Sequence, residues 1–312
     1  MTRTVEMVEV GPRDGLQNEA TLVSTANKVA LIERAIEAGS RRIEVASFVH
    51  PKRVPQMADA EDVIARLPDR KDVTYIGLCL NKRSVLRALA TRDGGKRGID
   101  EAGCVAVASN AFGLTNQGQT IEQSLRENRE MIRFAKAEGL QAQATIATAF
   151  GCPFEGPVQT DTVLRIASEL AEEEPLEIAL ADTIGVGAPG QVEELFGRLR
   201  DVLPDSIAMR AHFHDTRSTG IANIWAALSA GVDVIDTSLG GLGGCPFAPG
   251  AAGNVATEDA AYMLSNSGIE TGLDLDQLLA ASQWLEGVMG KPLHSKLAKV
   301  GDFVALGASN DT

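Results

Sequence analysis

Val5-Glu6-Met7-Val8-Glu9-Val10 runs directly into Gly11-Pro12-Arg13-Asp14-Gly15, and this first junction decides between two architectures. The apolar run reads as a strand buried on both faces, as parallel strands are. An open doubly wound sheet would follow it with a G-x-G-x-x-G turn that cradles a dinucleotide. Gly11-Pro12-Arg13-Asp14-Gly15 has neither that spacing nor the glycines, so the open sheet is disfavoured. Outward from this point, strand-like runs occupy 5–10, 42–48, 73–80, 104–108, 142–149, 176–180, 207–213 and 232–237. Each is followed by a stretch with helical periodicity. The first of these has Ser24 as N-cap, an apolar stripe of Val29, Leu31, Ile32 and Ile36, and Gly39 as its stop. Eight strand-then-helix units are the count of a (β/α)8 TIM barrel, an α/β fold. The fourth strand is expected to lead into a polar loop before a long helix over 121–138.

The 312 residues are assigned to one catalytic domain, with the barrel over about 5–268 and an appended helical segment over about 270–300 that packs on the barrel or on a second subunit. A hydrophobic share of 44% with 31 glycines describes a folded globular chain with many turns. The formal charge of −13 argues against nucleic acid or an anionic membrane as partner. It leaves room for an anionic small ligand where a local cation reverses the field. There is no apolar run long enough for a transmembrane helix and no room for a signal peptide before the first strand, so a cytoplasmic location is expected. The four cysteines, Cys79, Cys104, Cys152 and Cys245, lack zinc or disulfide spacing. Cys79 and Cys104 read as small core residues, whereas Cys152 and Cys245 each precede a proline in a glycine-containing loop and differ in kind.

Barrel enzymes carry their chemistry at the C-terminal ends of the strands, and this filter selects the candidates. Strand one ends at Arg13-Asp14, with Gln17 beyond. Strand two carries Glu44 and ends near Ser47. Strand four leads towards Asn116, and strand six to Asp182-Thr183. Strand seven supplies His212 and His214, and strand eight opens into a glycine-rich loop with Cys245 and then Asn254. His212 and His214 alternate with Phe213, so both imidazoles face one side, with Cα atoms about 6.6 Å apart. As a pair they suit either one shared metal ion or two hydrogen-bonded strand-end side chains. Asp14, His212, His214 and Asn254 together would offer two nitrogens and several oxygens, a set for a divalent cation such as Mg²⁺ or Mn²⁺. Asp14 and Asn254 also suit plain turns. Arg13 either pairs with Asp14 or stabilises a developing oxyanion. Glu44, in an apolar strand, requires a partner.

At these residues the sequence closely resembles the 3-hydroxy-3-methylglutaryl-CoA lyases, metal-dependent TIM-barrel lyases related to aldolases. The stretches that carry the resemblance are 8–19, Ser47-Phe48-Val49, Val54-Pro55-Gln56-Met57, Gly151-Cys152-Pro153, 182–187, 212–216, Gly241-Leu242-Gly243-Gly244-Cys245-Pro246 and Gly253-Asn254 with 256–259. The resemblance implies that Asp14, His212, His214 and Asn254 hold the cation. It implies that Arg13 and Glu44 meet the reacting end of an acyl-CoA substrate, and that Cys245 lies on a loop closing the site. Asp182 joins the catalytic set, and Gln17, Ser47, Asn116 and Thr183 are expected to bind substrate. A homodimer is the assembly the family suggests. The expected reaction is cleavage of 3-hydroxy-3-methylglutaryl-CoA to acetyl-CoA and acetoacetate, with Asp14 or a metal-site histidine as base and Cys245 as acid. The alternatives are the same cleavage on a longer branched 3-hydroxyglutaryl-CoA, a Claisen-type synthase, or a catalytically silent barrel. Gly-Gly-Cys-Pro after strand eight favours lyase over synthase. Ala20, His50, Ala179 and the absence of lysines just before Asn116 depart from the usual lyase pattern and touch the acyl-CoA surroundings.

Overall fold

The computed structural model describes residues 3–245 and 248–303, with the side chains of 245 and 248–251 outside that description. Eight parallel strands close into a barrel in chain order: β1 Glu6–Glu9, β2 Arg42–Ser47, β3 Thr74–Cys79, β4 Glu101–Val107, β5 Gln141–Ala147, β6 Glu177–Asp182, β7 Ala208–Phe213 and β8 Val234–Thr237. β8 pairs with β1, placing Asp236 beside Val8 and closing the ring. Helices α1 Thr25–Glu37, α2 Ala60–Ile64, α3 Lys82–Ala90, α4 Asn110–Asn116, α5 Ile121–Ala137, α6 Thr160–Ala171, α7 Pro189–Val202, α8 Gly220–Ser229 and α9 Thr257–Asn266 follow the strands. The barrel expectation holds, with strand limits within a few residues of those read from the pattern.

Local chemistry explains the boundaries. Ser24 caps α1 by accepting from the Asn27 amide, and Gly39 leaves the helix at φ +102°. One expectation is corrected. The stretch after β4 is not a polar loop but helix α4, because Ser109 Oγ caps it at the Phe112 amide and Phe112 is buried against Val107, Ala147 and Cys152. Helix α10, Leu275–Met289, packs against α1 and against the Leu239–Gly241 turn, with the Arg34 guanidinium stacked 4.6 Å from the Trp284 ring centre. The appended segment therefore lies on the barrel itself. Among the described residues, no helix is long and apolar enough to cross a membrane.

The barrel interior is unusual in its charge. Bulky branched side chains normally fill these layers. Here Arg42 on β2 bridges Glu101 on β4 at 2.7 Å and Glu177 on β6 at 2.8 Å, all three buried. Arg210 on β7 continues the chain to Glu177 at 2.7 Å. Taking such charges out of water is costly unless each is paired, and this mutual pairing meets that condition.

Candidate active site

The mouth at the C-terminal ends of the strands holds a cavity of about 360 Å³, in the range of small-ligand sites. A single π-helical turn, Gly11–Gly15, follows β1 and carries Arg13 and Asp14 into it. Arg13 uses one nitrogen on each neighbour: Nη1 donates to Asp14 Oδ1 at 2.8 Å and Nη2 to Glu44 Oε2 at 2.7 Å. Burial opposes the Arg13 charge, but Glu44 and Asp14 outweigh it and hold the guanidinium above its ordinary value. Burial pushes the Glu44 carboxyl up, with Arg13 opposing. For Asp14, burial is outweighed by Arg13, His212 and His214, which keep it well below the usual carboxylate range.

His212 and His214 face the same side, as strand alternation requires, with ring centres 5.2 Å apart. Phe213 between them points into the helix layer against Phe150 and Phe196. Ligating atoms of Asp14, His212 and His214 all lie within 4.8 Å of one another. Burial, helped by His212, lowers His214 to about 4, so its imidazole is neutral at physiological pH. Its Nδ1 is buried with no hydrogen-bond partner. An ionised carboxylate beside two imidazoles, one with an unsatisfied nitrogen, is the donor set a divalent cation takes. The surrounding charge agrees. Three guanidinium groups, of Arg13, Arg42 and Arg210, face six carboxylates, of Glu6, Asp14, Glu44, Glu101, Glu177 and Asp236, an excess of three negative charges when all are ionised.

Asn254 stands at the rim of this cluster. Its Nδ2 donates to Asp14 Oδ2 at 2.8 Å, and its backbone forms an antiparallel bridge with His214. A half-turn of the amide would present its oxygen instead. The backbone segment Gly244–Cys245 pairs with Ala248–Ala252, and Gly244 borders the cavity.

A model of the family described as HMGL-like matches residues 4–285. The chain belongs to the HMGL-like family. It is 42% identical to a hydroxymethylglutaryl-CoA lyase of Bacillus subtilis, over 96% of this chain and 97% of that protein. It is 40% identical to a 3-hydroxy-3-isohexenylglutaryl-CoA/hydroxymethylglutaryl-CoA lyase of Pseudomonas aeruginosa, over 96% and 97%. The solved HMG-CoA lyase structure of Bacillus subtilis superposes with a TM-score of 0.91 at 40% identity, covering 96% of this chain and 98% of that one.

In this HMGL-like chain the other candidate residues separate into two groups. Gln17, Asn116 and Thr183 border the cavity. The Gln17 Oε1 is buried and unpartnered, and Thr183 Oγ1 accepts from the amide of Thr148, a non-glycine residue at φ +58°. Asp182 and Ser47 do not reach the cavity. Asp182 is fully buried with Oδ1 on the Val186 amide and Oδ2 on the Gly187 amide, so its carboxylate holds the loop after β6 and turns away from the reacting end. Ala181, its neighbour on the strand, is the residue that faces inward. Ser47 is fully buried with its hydroxyl unpartnered, and it is not among the residues that line the cavity. Cys245 has its backbone at the rim, and its side chain lies outside the described residues. Cys79 and Cys104 are buried core residues as expected. Cys152 is buried too, and its sulfur accepts from Ser109 Oγ at 2.9 Å and from the Phe154 and Glu155 amides at 3.4 Å, which organises the turn after β5.

Three residues escaped the sequence reading: Asp236 and Arg210 beside the cluster, and Glu9, which holds the Gly11 amide of the turn that carries Arg13 and Asp14. Their signal was a charge inside a strand of otherwise apolar character, and Arg210 shares strand parity with His212 and His214.

Proposed function

We infer that the chain is a divalent-metal-dependent carbon–carbon lyase that cleaves 3-hydroxy-3-methylglutaryl-CoA to acetyl-CoA and acetoacetate. The observation that carries this reading is the convergence of Asp14, His212 and His214 beside the Arg13–Glu44 pair at a barrel mouth, in a chain of the HMGL-like family. Asp14, His212, His214 and Asn254 would hold a divalent cation, Mg²⁺ or Mn²⁺, which would supply Lewis acidity to the substrate's oxygens.

The chain's own groups supply the rest. Ionised Asp14 and neutral His214 are both in the state that accepts a proton, here from the C3 hydroxyl. The C2–C3 bond then breaks, the C3 oxygen becoming the ketone of acetoacetate and the electron pair passing to the thioester as an enolate. The Arg13 guanidinium, fixed by Glu44, stabilises that oxyanion. Cys245, one residue beyond Gly244 at the rim, delivers a proton to C2 and yields acetyl-CoA. Leu78, Leu80, Val105, Phe112 and Ala147 give the cavity an apolar wall for the substituent at C3. A homodimer is the assembly we infer, from the family resemblance.

A second reading, cleavage of a longer branched 3-hydroxyglutaryl-CoA, is favoured by the 40% identity to the Pseudomonas aeruginosa protein, which is named for one such substrate beside hydroxymethylglutaryl-CoA. Purified thioesters of both kinds, scored by acetyl-CoA release with and without chelator, decide between them. Fastest chelator-sensitive release from 3-hydroxy-3-methylglutaryl-CoA supports the first reading. A clear preference for the longer acyl chain replaces it, and no release from any thioester overturns the lyase assignment.

A further inference from the structure

Asp236 has no place in the reaction above, yet its side chain is hydrogen-bonded to one of the metal-site histidines. The β7–β8 ladder pairs Arg210 with Val234, Ala211 with Ile235 and His212 with Asp236. Paired residues of adjacent parallel strands send their side chains to the same face, about 4.8 Å apart. The Asp236 Oδ2 consequently meets His212 Nδ1 at 3.0 Å, with both residues buried. The other oxygen faces Arg210, whose Nε stands 3.4 Å away as an ion pair outside hydrogen-bond geometry. Arg210 cannot easily move, since Nη1 holds Glu177 at 2.7 Å and Nη2 donates to Thr145 Oγ1 at 3.2 Å. Glu177 is itself held by Arg42 from across the barrel. The carboxylate of Asp236 is therefore aimed at one imidazole nitrogen from a fixed base.

The two histidines are treated unequally. His214 has no side-chain partner at Nδ1 and is placed by its backbone bridge to Asn254. His212 has Asp236. An imidazole that donates from Nδ1 leaves Nε2 bare, and a carboxylate on the far nitrogen both selects that tautomer and raises the basicity of the ligating one.

We propose that Asp236 is a positioning residue that accepts the Nδ1–H of His212, turns its unprotonated Nε2 to the cation, and is itself held in place by Arg210. The proposal rests on the metal-site reading above, but its geometric half stands without a metal.

The test uses the full-length protein, stripped with chelator and labelled with ¹⁵N at histidine. In the metal-free wild type at pH 9, His212 carries its proton on Nδ1. In a folded Asp236→Asn variant that preference is lost, and Mn²⁺ affinity measured calorimetrically falls by about 10–100-fold, while His214 keeps its signals. Wild-type His212 protonated on Nε2, or a folded Asp236→Asn protein with unchanged tautomer and unchanged Mn²⁺ affinity, overturns the proposal. The wild-type measurement decides the tautomer even if the variant does not fold. A wild type that shows the Nδ1–H tautomer but binds no Mn²⁺ upholds the orientation and overturns the metal reading alone.

Discussion

The Nη2 of Arg13 donates to Oε2 of Glu44 at 2.7 Å, tying the turn after β1 to the interior of β2. Glu44 is the wall against which the guanidinium is set, leaving its Nη1 edge for Asp14. Glu44→Gln keeps the shape but removes the charge that fixes Arg13. Steady-state kinetics should show kcat falling by about tenfold or more with KM little changed, and Arg13→Met should cost about 10²–10³. A Glu44→Gln enzyme with full kcat refutes the orienting role.

Chelation should abolish turnover, and added Mg²⁺ or Mn²⁺ should restore it. Asp14→Asn and His214→Ala each remove one member of the three-residue cluster. Metal content after equilibrium dialysis should drop in both, ahead of any change in far-UV circular dichroism. Equal metal occupancy in either variant would exclude that residue as a ligand.

Cys245→Ala should separate binding from chemistry. Metal occupancy stays at the wild-type level, because Asp14, His212 and His214 already supply the ligand cluster. Turnover falls by about 10²–10⁴, the usual worth of a positioned acid. Near-normal turnover is the result that removes Cys245 from the mechanism.

Glu9 predicts a pH-dependent stability. It is fully buried, with Oε1 accepting the Gly11 and Leu239 amides and Oε2 the Thr257 hydroxyl. Burial, opposed by those bonds, pushes its carboxyl up to about 7 from an ordinary 4.5. The native state thus binds the proton more tightly than the unfolded chain. This contribution is complete below pH 4.5 and is lost as pH rises through 7. Glu9→Gln keeps an acceptor for the two amides and a donor for Thr257, and carries no charge. Its urea stability relative to wild type should therefore improve between pH 5 and pH 8, by up to about 3 kcal/mol. A difference independent of pH contradicts the assignment.

The barrel and the ligand cluster were legible in the sequence for the same reason: alternation. Eight apolar runs separated by helical patterns allow few other folds. His212 and His214 share a face because Phe213 lies between them, and Phe213 does pack outward on Phe150. Asp182 was misplaced because a strand-end position says which loop a residue enters but not which way it points. Asp182 follows the inward-facing Ala181 and must turn outward. Helix α4 was missed because Asn110–Asn116 is short and begins and ends on asparagine, and what stabilises it, the Ser109 cap, the Glu155 carboxylate on the Ala111 amide and the burial of Phe112, appears only in the fold. Asp236 and Arg210 were passed over because a charge inside an apolar strand gains meaning only once its neighbour across the ladder is known.

The charged lumen also acts as a key for strand register. Arg42 reaches both Glu101 and Glu177 only while β2, β4 and β6 keep their present stagger. A slip of one residue in any of them would drive an unpaired charge into the apolar sheath between strands and helices, where the desolvation cost is several kcal/mol. An all-aliphatic lumen would tolerate such a slip far more readily. The same ion pairs that set the floor of the site thereby select one closure of the barrel over its shifted neighbours, and with it the one alignment in which Asp14 faces two histidines.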